Sequence, residues 1–460
     1  MAATSEPVTL DALGPAGRFQ ARERTTIEDV AGDPVAELSL VPSLFVSRAM
    51  AALRKADPLP LDERVAALAR AGAAYREQTL DGLTPGDYER LVSRVSGLPI
   101  AAVRSAADAI ARQAGEVHRS VQRARPIGAA NDWRDPLTRT GRAVWTRRGE
   151  VFAVLAPGNT PAVHGQWLEA LALGYRVAVR PSRREPFTPY RLIAALRAAG
   201  FGDDQVVFLP TDHDAADAIL RDADLSMAYG GADLMRKYAS LSTMLPQGPG
   251  RSKILLTADV DWRDHLDMVV ASVSQGGGTW CTNTTAVFVE GDPGPLAAAL
   301  AARLATLPSH RPEDDGAVLP VHAVGQARAV EQYLRATAAG ATSWLGGDGI
   351  VDELGDGSAV LRPAVHQLDS PAAEQARVEL AFPNVWVVPW TRAAGLGPLK
   401  DTLVLTAVTR DERLLDELLA EPTVSNLYIG DHPTCWYDPS VPHDGYLADF
   451  LMRTKGVIRD

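Results

Sequence analysis

Val151-Phe152-Ala153-Val154-Leu155-Ala156-Pro157-Gly158-Asn159 is an unbroken apolar run that stops at a Pro-Gly-Asn turn. Apolar side chains without alternation, bounded by turn formers, fit a strand buried on both faces, as in parallel sheets. Similar short runs recur at 175–179, 206–209, 225–229 and 254–256, with helical patterns between them at 163–173, 189–199, 214–221 and 233–241. Alternation at this spacing predicts repeated β-α units, hence a parallel sheet covered by helices with ligands at the carboxyl ends of its strands. A dinucleotide is the expected ligand, although the fingerprint Gly-x-Gly-x-x-Gly is absent.

Upstream, the first 120 residues or so read as helical, with apolar residues at spacings of three and four in 61–76 and 99–119. Residues 121–149 lose that periodicity, gather Pro, Asn, Asp and Arg, and end on the alternating run 143–148. That texture predicts a connector or an edge strand for subunit contact. Downstream, strand-like runs at 285–289, 385–389 and 403–408 alternate with helical ones at 295–306, 329–338 and 411–420, predicting a second α/β domain. The junction carries Gly276-Gly277-Gly278-Thr279-Trp280-Cys281-Thr282-Asn283, with one of the chain's two cysteines. Glycines allow φ > 0 and close backbone approach, and a thiol readily attacks a carbonyl near neutral pH. Taken alone, a Cys before a strand is more often a small buried hydrophobe. Its place between two domains, where active sites are common, favours a nucleophile.

Composition narrows the class. The chain of 460 residues is 46% hydrophobic and carries 46 Lys and Arg against 57 Asp and Glu, a net charge of −11. Two or more domains are expected, and a general affinity for nucleic acid or anionic membrane is not. Cys281 and Cys435 cannot make a disulfide framework, and residues 1–6 lack the basic and apolar regions of a secretory signal. No uncharged apolar run reaches about 18 residues, so no membrane span is expected. A cytoplasmic protein without a metal site is the reading.

Several segments together carry a resemblance. Ala156-Pro157-Gly158-Asn159-Thr160-Pro161 with Trp167 is similar to the Pro-Trp-Asn-Phe-Pro…Trp segment of the aldehyde dehydrogenase superfamily. Arg180-Pro181-Ser182-Arg183 stands where that family has Lys-Pro-Ser-Glu, and Tyr229-Gly230-Gly231-Ala232 where it has Thr-Gly-Ser. Gly278–Cys281 falls at its nucleophile, Glu379-Leu380-Ala381-Phe382 resembles its Glu-Ile-Phe-Gly, and 438–446 resembles its Pro-Phe-Gly-Gly-Tyr stretch. The matches run in order from about 151 to 446. They imply an aldehyde dehydrogenase-like α/β fold: a Rossmann-type NAD(P)-binding domain (1–127 and 150–252), a catalytic domain (253–434) and a small oligomerisation element (128–149 and 435–460).

In that resemblance Cys281 attacks the carbonyl, while the Asn159 amide and the Cys281 backbone N–H hold the oxyanion. Pro157, Arg180, Ser182, Arg183, Tyr229, Gly230, Gly231, Glu379 and Phe382 bind the cofactor, with Glu379 on the nicotinamide ribose. Trp167, Trp280, Tyr437 and His443 form the substrate pocket, whose aromatic walls suit a hydrophobic or aryl acyl group. His164 is either a base or proton donor, or a polar residue on a helix face near the pocket. Arg183 replaces the glutamate of NAD-preferring relatives, which favours NADP(H) while leaving NAD(H) possible.

One departure sets the expected chemistry. Hydrolytic members carry Glu-Leu-Gly-Gly-Lys where this chain reads Gln247-Gly248-Pro249-Gly250-Arg251. A carboxamide takes no proton, so water attack on a Cys281 thioester loses help worth roughly 10²–10⁴. The resemblance is therefore to acyl-thioester reductases of the bioluminescence fatty-acid type, with coenzyme A or a carrier-protein phosphopantetheine as the thiol partner. Two alternatives stand beside it: a hydrolytic aldehyde dehydrogenase with another base such as His164, and a silent subunit that binds an acyl carrier or partner enzyme. Asp259 and Asp261 are expected to cap the following helix. The tail after Ile458 is shorter than the family's, implying a homodimer.

Overall fold

The computed structural model describes residues 7–460 except 239 and 440; residues 1–6, read above for a leader, lie outside the described residues. Two seven-stranded sheets organise the chain. The first runs Met244–Gln247, Leu225–Tyr229, Val151–Leu155, Arg176–Arg180 and Val206–Phe208, all parallel, with Ala12–Gly14 and Gly17–Phe19 antiparallel at its edge. Val151 to Val154 are all at most 1% exposed, as a strand covered on both faces requires. From Val151–Leu155 the chain winds outward on one side and later returns on the other to add Leu225–Tyr229. That reversal places a crevice at the carboxyl ends of these two neighbours, at Ala156–Asn159 and Gly230–Gly231.

The second sheet runs Thr342–Leu345, Ala364–Gln367, Asn384–Trp390, Thr284–Glu290, Ser252–Leu256, Thr402–Val408 and Val424–Ile429, parallel except at Thr342–Leu345. The two α/β units read from the sequence are present. A separate antiparallel ribbon joins Arg142–Arg147 to Met452–Val457, with Trp145 opposite Thr454. Among the described residues no helix is long and apolar enough to cross a membrane.

Four expectations change. The run at 254–256, read with the first sheet, lies inside the second as Ser252–Leu256. Residues 7–40 are not helical but hold Val8–Leu10, Ala12–Gly14, Gly17–Phe19, Arg24–Glu28 and Pro34–Ser39. Strands of three to six residues are too short to display a period of two, and their pairing is decided across the sheet. The helix read over 163–173 is broken into a 3-10 turn, Pro161–Gly165, and a short helix, Leu168–Ala172. Asp261 caps the turn Trp262–His265 as expected, whereas Asp259 instead accepts the Arg410 N–H at 2.8 Å.

Candidate active site

A cavity of about 790 Å³ lies where the carboxyl ends of the first sheet meet the amino ends of the second. From the first sheet come Pro157, Asn159, Tyr229, Gly230, Gly231 and Gln247, and from the second Arg251, Cys281, Glu379 and Asp401; His443 and Asp444 close the side. Register pairs Tyr229 with Gln247, and the Gly230 N–H donates to the Gln247 carbonyl at 3.0 Å, which sets Gln247 on the wall.

The nucleophile loop is shaped by glycine. After the helix Leu266–Ser274 the chain turns through Gly276, Gly277 and Gly278 with φ of 64°, 76° and 67°, a region that favours residues without Cβ. Asn283 staples the turn: its Oδ1 accepts the Trp280 N–H at 2.8 Å and its Nδ2 donates to Ser272 and Gln275 carbonyls at 3.1 and 3.0 Å. The Ser252 hydroxyl donates to the Cys281 carbonyl at 3.0 Å, and a Cβ on Gly250 would lie 1.8 Å from that same oxygen. Cys281 is left half-buried on the cavity wall. Burial, with the Glu379 and Asp444 carboxylates nearby, pushes its thiol up to about 12, so the resting side chain is neutral.

The Asn159 amide donates to the Thr279 carbonyl at 3.4 Å, two residues before the thiol, so it is next to the nucleophile loop. Glu379 Oε2 accepts the Arg251 N–H at 2.7 Å, and burial raises its carboxyl above the ordinary range.

Other residues singled out by sequence lie off this wall. His164 is 1% exposed; its Nδ1 accepts the Trp167 indole N–H at 3.1 Å, and burial lowers its pKa to about 3. A neutral, enclosed ring of this kind does not donate a proton at neutral pH, which corrects its reading as the acid or base. Trp167 is likewise 1% exposed and serves as its core partner instead of a pocket wall. Trp280 packs on Gly276, and Phe382 is buried in the core of the second sheet. Tyr437 lines a smaller adjoining cavity that shares Gln166, Gln247, His443 and Asp444 with the main one.

Arg180, Ser182 and Arg183 follow the carboxyl end of Arg176–Arg180, beside the main cavity's Pro157 side. A Cβ on Gly158 would be 2.5 Å from the Ser182 hydroxyl, so that loop touches the 156–159 turn. Arg180 Nε is buried without a hydrogen-bond partner among the described residues, and Arg183 beside it adds a second positive charge. A spare buried donor and paired cations at a sheet switch point suit an anionic nucleotide. Gly230 and Gly231 leave backbone exposed at the next strand end. These residues fit a dinucleotide. Among the described residues no three of His, Cys, Asp and Glu are grouped to hold a metal.

Sequence reading assigned no role to Gln166 or Asp444. Gln166 Oε1 accepts the Tyr229 hydroxyl, tying the two strand ends together. The signal was a lone glutamine in an otherwise apolar stretch. Asp444 lay inside the 438–446 resemblance, but only the fold brings it to Cys281.

Comparison with known proteins gives a family and a fold. The model of the Aldehyde dehydrogenase family matches residues 20–394. N-succinylglutamate 5-semialdehyde dehydrogenase 2 of Caulobacter vibrioides is 30% identical over 187 residues, 38% of this chain and 35% of that protein. The chain thus matches about a third of the length of this curated relative. Aldehyde dehydrogenase 21 from Physcomitrella patens, solved with the reaction product succinate, superposes at a TM-score of 0.83 with 16% identity, covering 99% of both chains. An indole-3-acetaldehyde dehydrogenase of P. syringae, solved with NAD+ and IAA, gives 0.82 at 17% identity over 97% and 96%. At such identities the likeness speaks to fold.

Proposed function

Because the chain belongs to the aldehyde dehydrogenase family and is an oxidoreductase, we propose that it interconverts an acyl thioester and an aldehyde through a thioester on Cys281. The observation carrying this reading is Gln247 on the cavity wall, where a hydrolytic enzyme needs a base. The Cys281 sulfur attacks the acyl carbonyl of coenzyme A or a carrier phosphopantetheine; the new C–S bond replaces the old, and the departing thiolate takes up the proton that Cys281 loses. The Asn159 amide and the Cys281 N–H stabilise the tetrahedral oxyanion. When bound, NAD(P)H would supply a hydride to the acyl carbon; the Cys281 sulfur–carbon bond then breaks, the sulfur keeping the electron pair and taking up a proton as the aldehyde leaves. Arg180, Ser182, Arg183, Tyr229, Gly230, Gly231 and Glu379 would hold that cofactor, with Arg183 favouring the 2′-phosphate. Thiol partners need no proton removed by Gln247 if they arrive ionised.

A hydrolytic reading also has an observation behind it. Glu379 and Asp444 share the cavity with Cys281, and burial raises the Glu379 carboxyl, the direction that makes its carboxylate a stronger base. NADPH oxidation with a panel of acyl-CoA thioesters separates the two, with Cys281→Ala as control. Turnover that vanishes in the variant supports thioester reduction; silence there, with NADP+-linked acid formation from aldehydes without any thiol, overturns it. Dimerisation through the ribbon of Arg142–Arg147 and Met452–Val457 belongs to the same proposal, and sedimentation tests it.

A further inference from the structure

The smaller cavity beside Cys281, about 40 Å³, has a chemistry the aromatic-pocket reading does not anticipate. Its walls include the carboxylates of Glu169 and Asp444 and no lysine or arginine. Glu169 sits on the helix Leu168–Ala172 with Oε2 accepting the Ala448 N–H at 3.2 Å, and burial pushes its carboxyl up to about 7. Tyr437 and His443 meet edge to face at 6.0 Å between ring centroids. His443 Nδ1 is buried and has no hydrogen-bond partner among the described residues, and burial keeps this ring neutral at physiological pH. A neutral imidazole offers one acceptor nitrogen. The pocket therefore combines carboxyl oxygens, an unpartnered buried nitrogen and aromatic rings, with no lysine or arginine in its lining.

That set is complementary to an ammonium group, which is all donor, carries the missing charge and binds aromatic faces. Space agrees: the cavity is a few times the roughly 10–15 Å³ that one water needs, enough for a compact head group and too small for a long alkyl or aryl chain. Gln166, Gln247, His443 and Asp444 border both cavities, so the side pocket lies directly beside the one that holds Cys281.

We infer that this side pocket recognises a protonated amine on the substrate, whose carbonyl lies at Cys281 and whose short amino-bearing chain ends at Glu169 and Asp444. The inference rests on Cys281 as the attacking group and holds for either fate of its thioester. It makes Glu169 a specificity-determining residue for amino-acyl or amino-aldehyde substrates.

The test compares 3-aminopropanal with butanal, equal in length, in NAD(P)+-linked oxidation with and without coenzyme A. The wild-type kcat/KM ratio of amine to alkyl is expected above one, and Glu169→Gln is expected to lower it roughly tenfold or more, as loss of a charge-assisted contact does. Glu169→Asp retains part of the preference. A wild-type ratio at or below one, or a ratio that Glu169→Gln leaves unchanged, overturns the inference. A binding readout separates this from failure of the catalytic reading: calorimetric titration with n-propylammonium against butan-1-ol. Tighter binding of the ammonium to wild type, lost in Glu169→Gln, supports the pocket even if no aldehyde turns over; equal weak binding of both overturns it.

Discussion

The two sheets deliver opposite ends to one cavity, and they do so by different physics. The first presents carboxyl ends, where strands run into the turns Ala156–Asn159 and Gly230–Gly231, with the Ala156 and Gly230 N–H groups held by the Arg180 and Gln247 carbonyls. The second presents amino ends, at Arg251, Cys281 and Asp401, where the chain arrives from a loop and no regular element aims the side chain. There, positive-φ glycines and the Asn283 staple do the aiming. The first face should tolerate a side chain at Gly231, though not at Gly158, which Ser182 crowds; the second should be brittle at Gly250.

The chain's cysteines give the sharpest contrast. Both thiols are raised to about 12 by burial, but Cys435 packs against the Gln275 amide at 2.9 Å, away from the cavity lining. Cys281→Ala is expected to cut NAD(P)-linked turnover by roughly 10³ or more, as loss of a nucleophile does, while Cys435→Ala stays within about threefold. Steady-state rates on both folded variants check this; equal losses break it. Asn159→Ala, on the first face and proposed to hold the developing charge, is expected to lower kcat by roughly 10²–10³ with circular dichroism unchanged. A loss confined to KM would mean that Asn159 only binds substrate.

Glycine substitutions test the brittleness itself. Gly250→Ala forces a Cβ to 1.8 Å from the Cys281 carbonyl, whereas nothing lies within 4 Å of a Cβ on Gly231. Chemical denaturation should show a loss of about 1–3 kcal/mol for Gly250→Ala and within about 0.5 kcal/mol for Gly231→Ala. Equal stabilities would erase the distinction between the faces.

The smallest effect concerns Lys253, fully buried in Ser252–Leu256, with Nζ donating to the Lys400 carbonyl at 2.9 Å. Burial, then Arg377, lowers its pKa from 10.5 to about 7. Between those values the unfolded chain holds a proton that the folded chain has released, so this group's contribution to stability rises with pH across that window. Lys253→Met removes the rise. Denaturation midpoints at pH 7.5 and 9.5 should therefore change less favourably with pH in the variant than in wild type; parallel shifts would refute the assignment.

Much of this was legible in advance. The strands of the first sheet are visible as short apolar runs because burial on both faces demands them, and Cys281 stands out because three consecutive glycines are costly anywhere but at a special turn. The strands before residue 40 were not legible, since segments such as Gly17–Phe19 derive their form from neighbours on the sheet edge. His164 misled for a related reason: its place in Asn159–Trp167 marks a loop near the nucleophile, but whether a ring faces the cavity or the core is decided by packing with Trp167. Glu169 and Asp444 are 275 residues apart, and no local pattern links them.

By itself, the sequence determined the α/β class, the glycine-rich loop that carries Cys281 and the family resemblance. These are properties of residue type and short-range spacing, which side-chain chemistry and local backbone preference settle. Tertiary structure decided that two sheets meet end to end, that the His164 ring is paired with Trp167 while His443 lines the cavity wall, and that an acidic side pocket adjoins the cavity of Cys281. Such features depend on burial and long-range contact, which shift proton affinities and select which faces water or a ligand can reach.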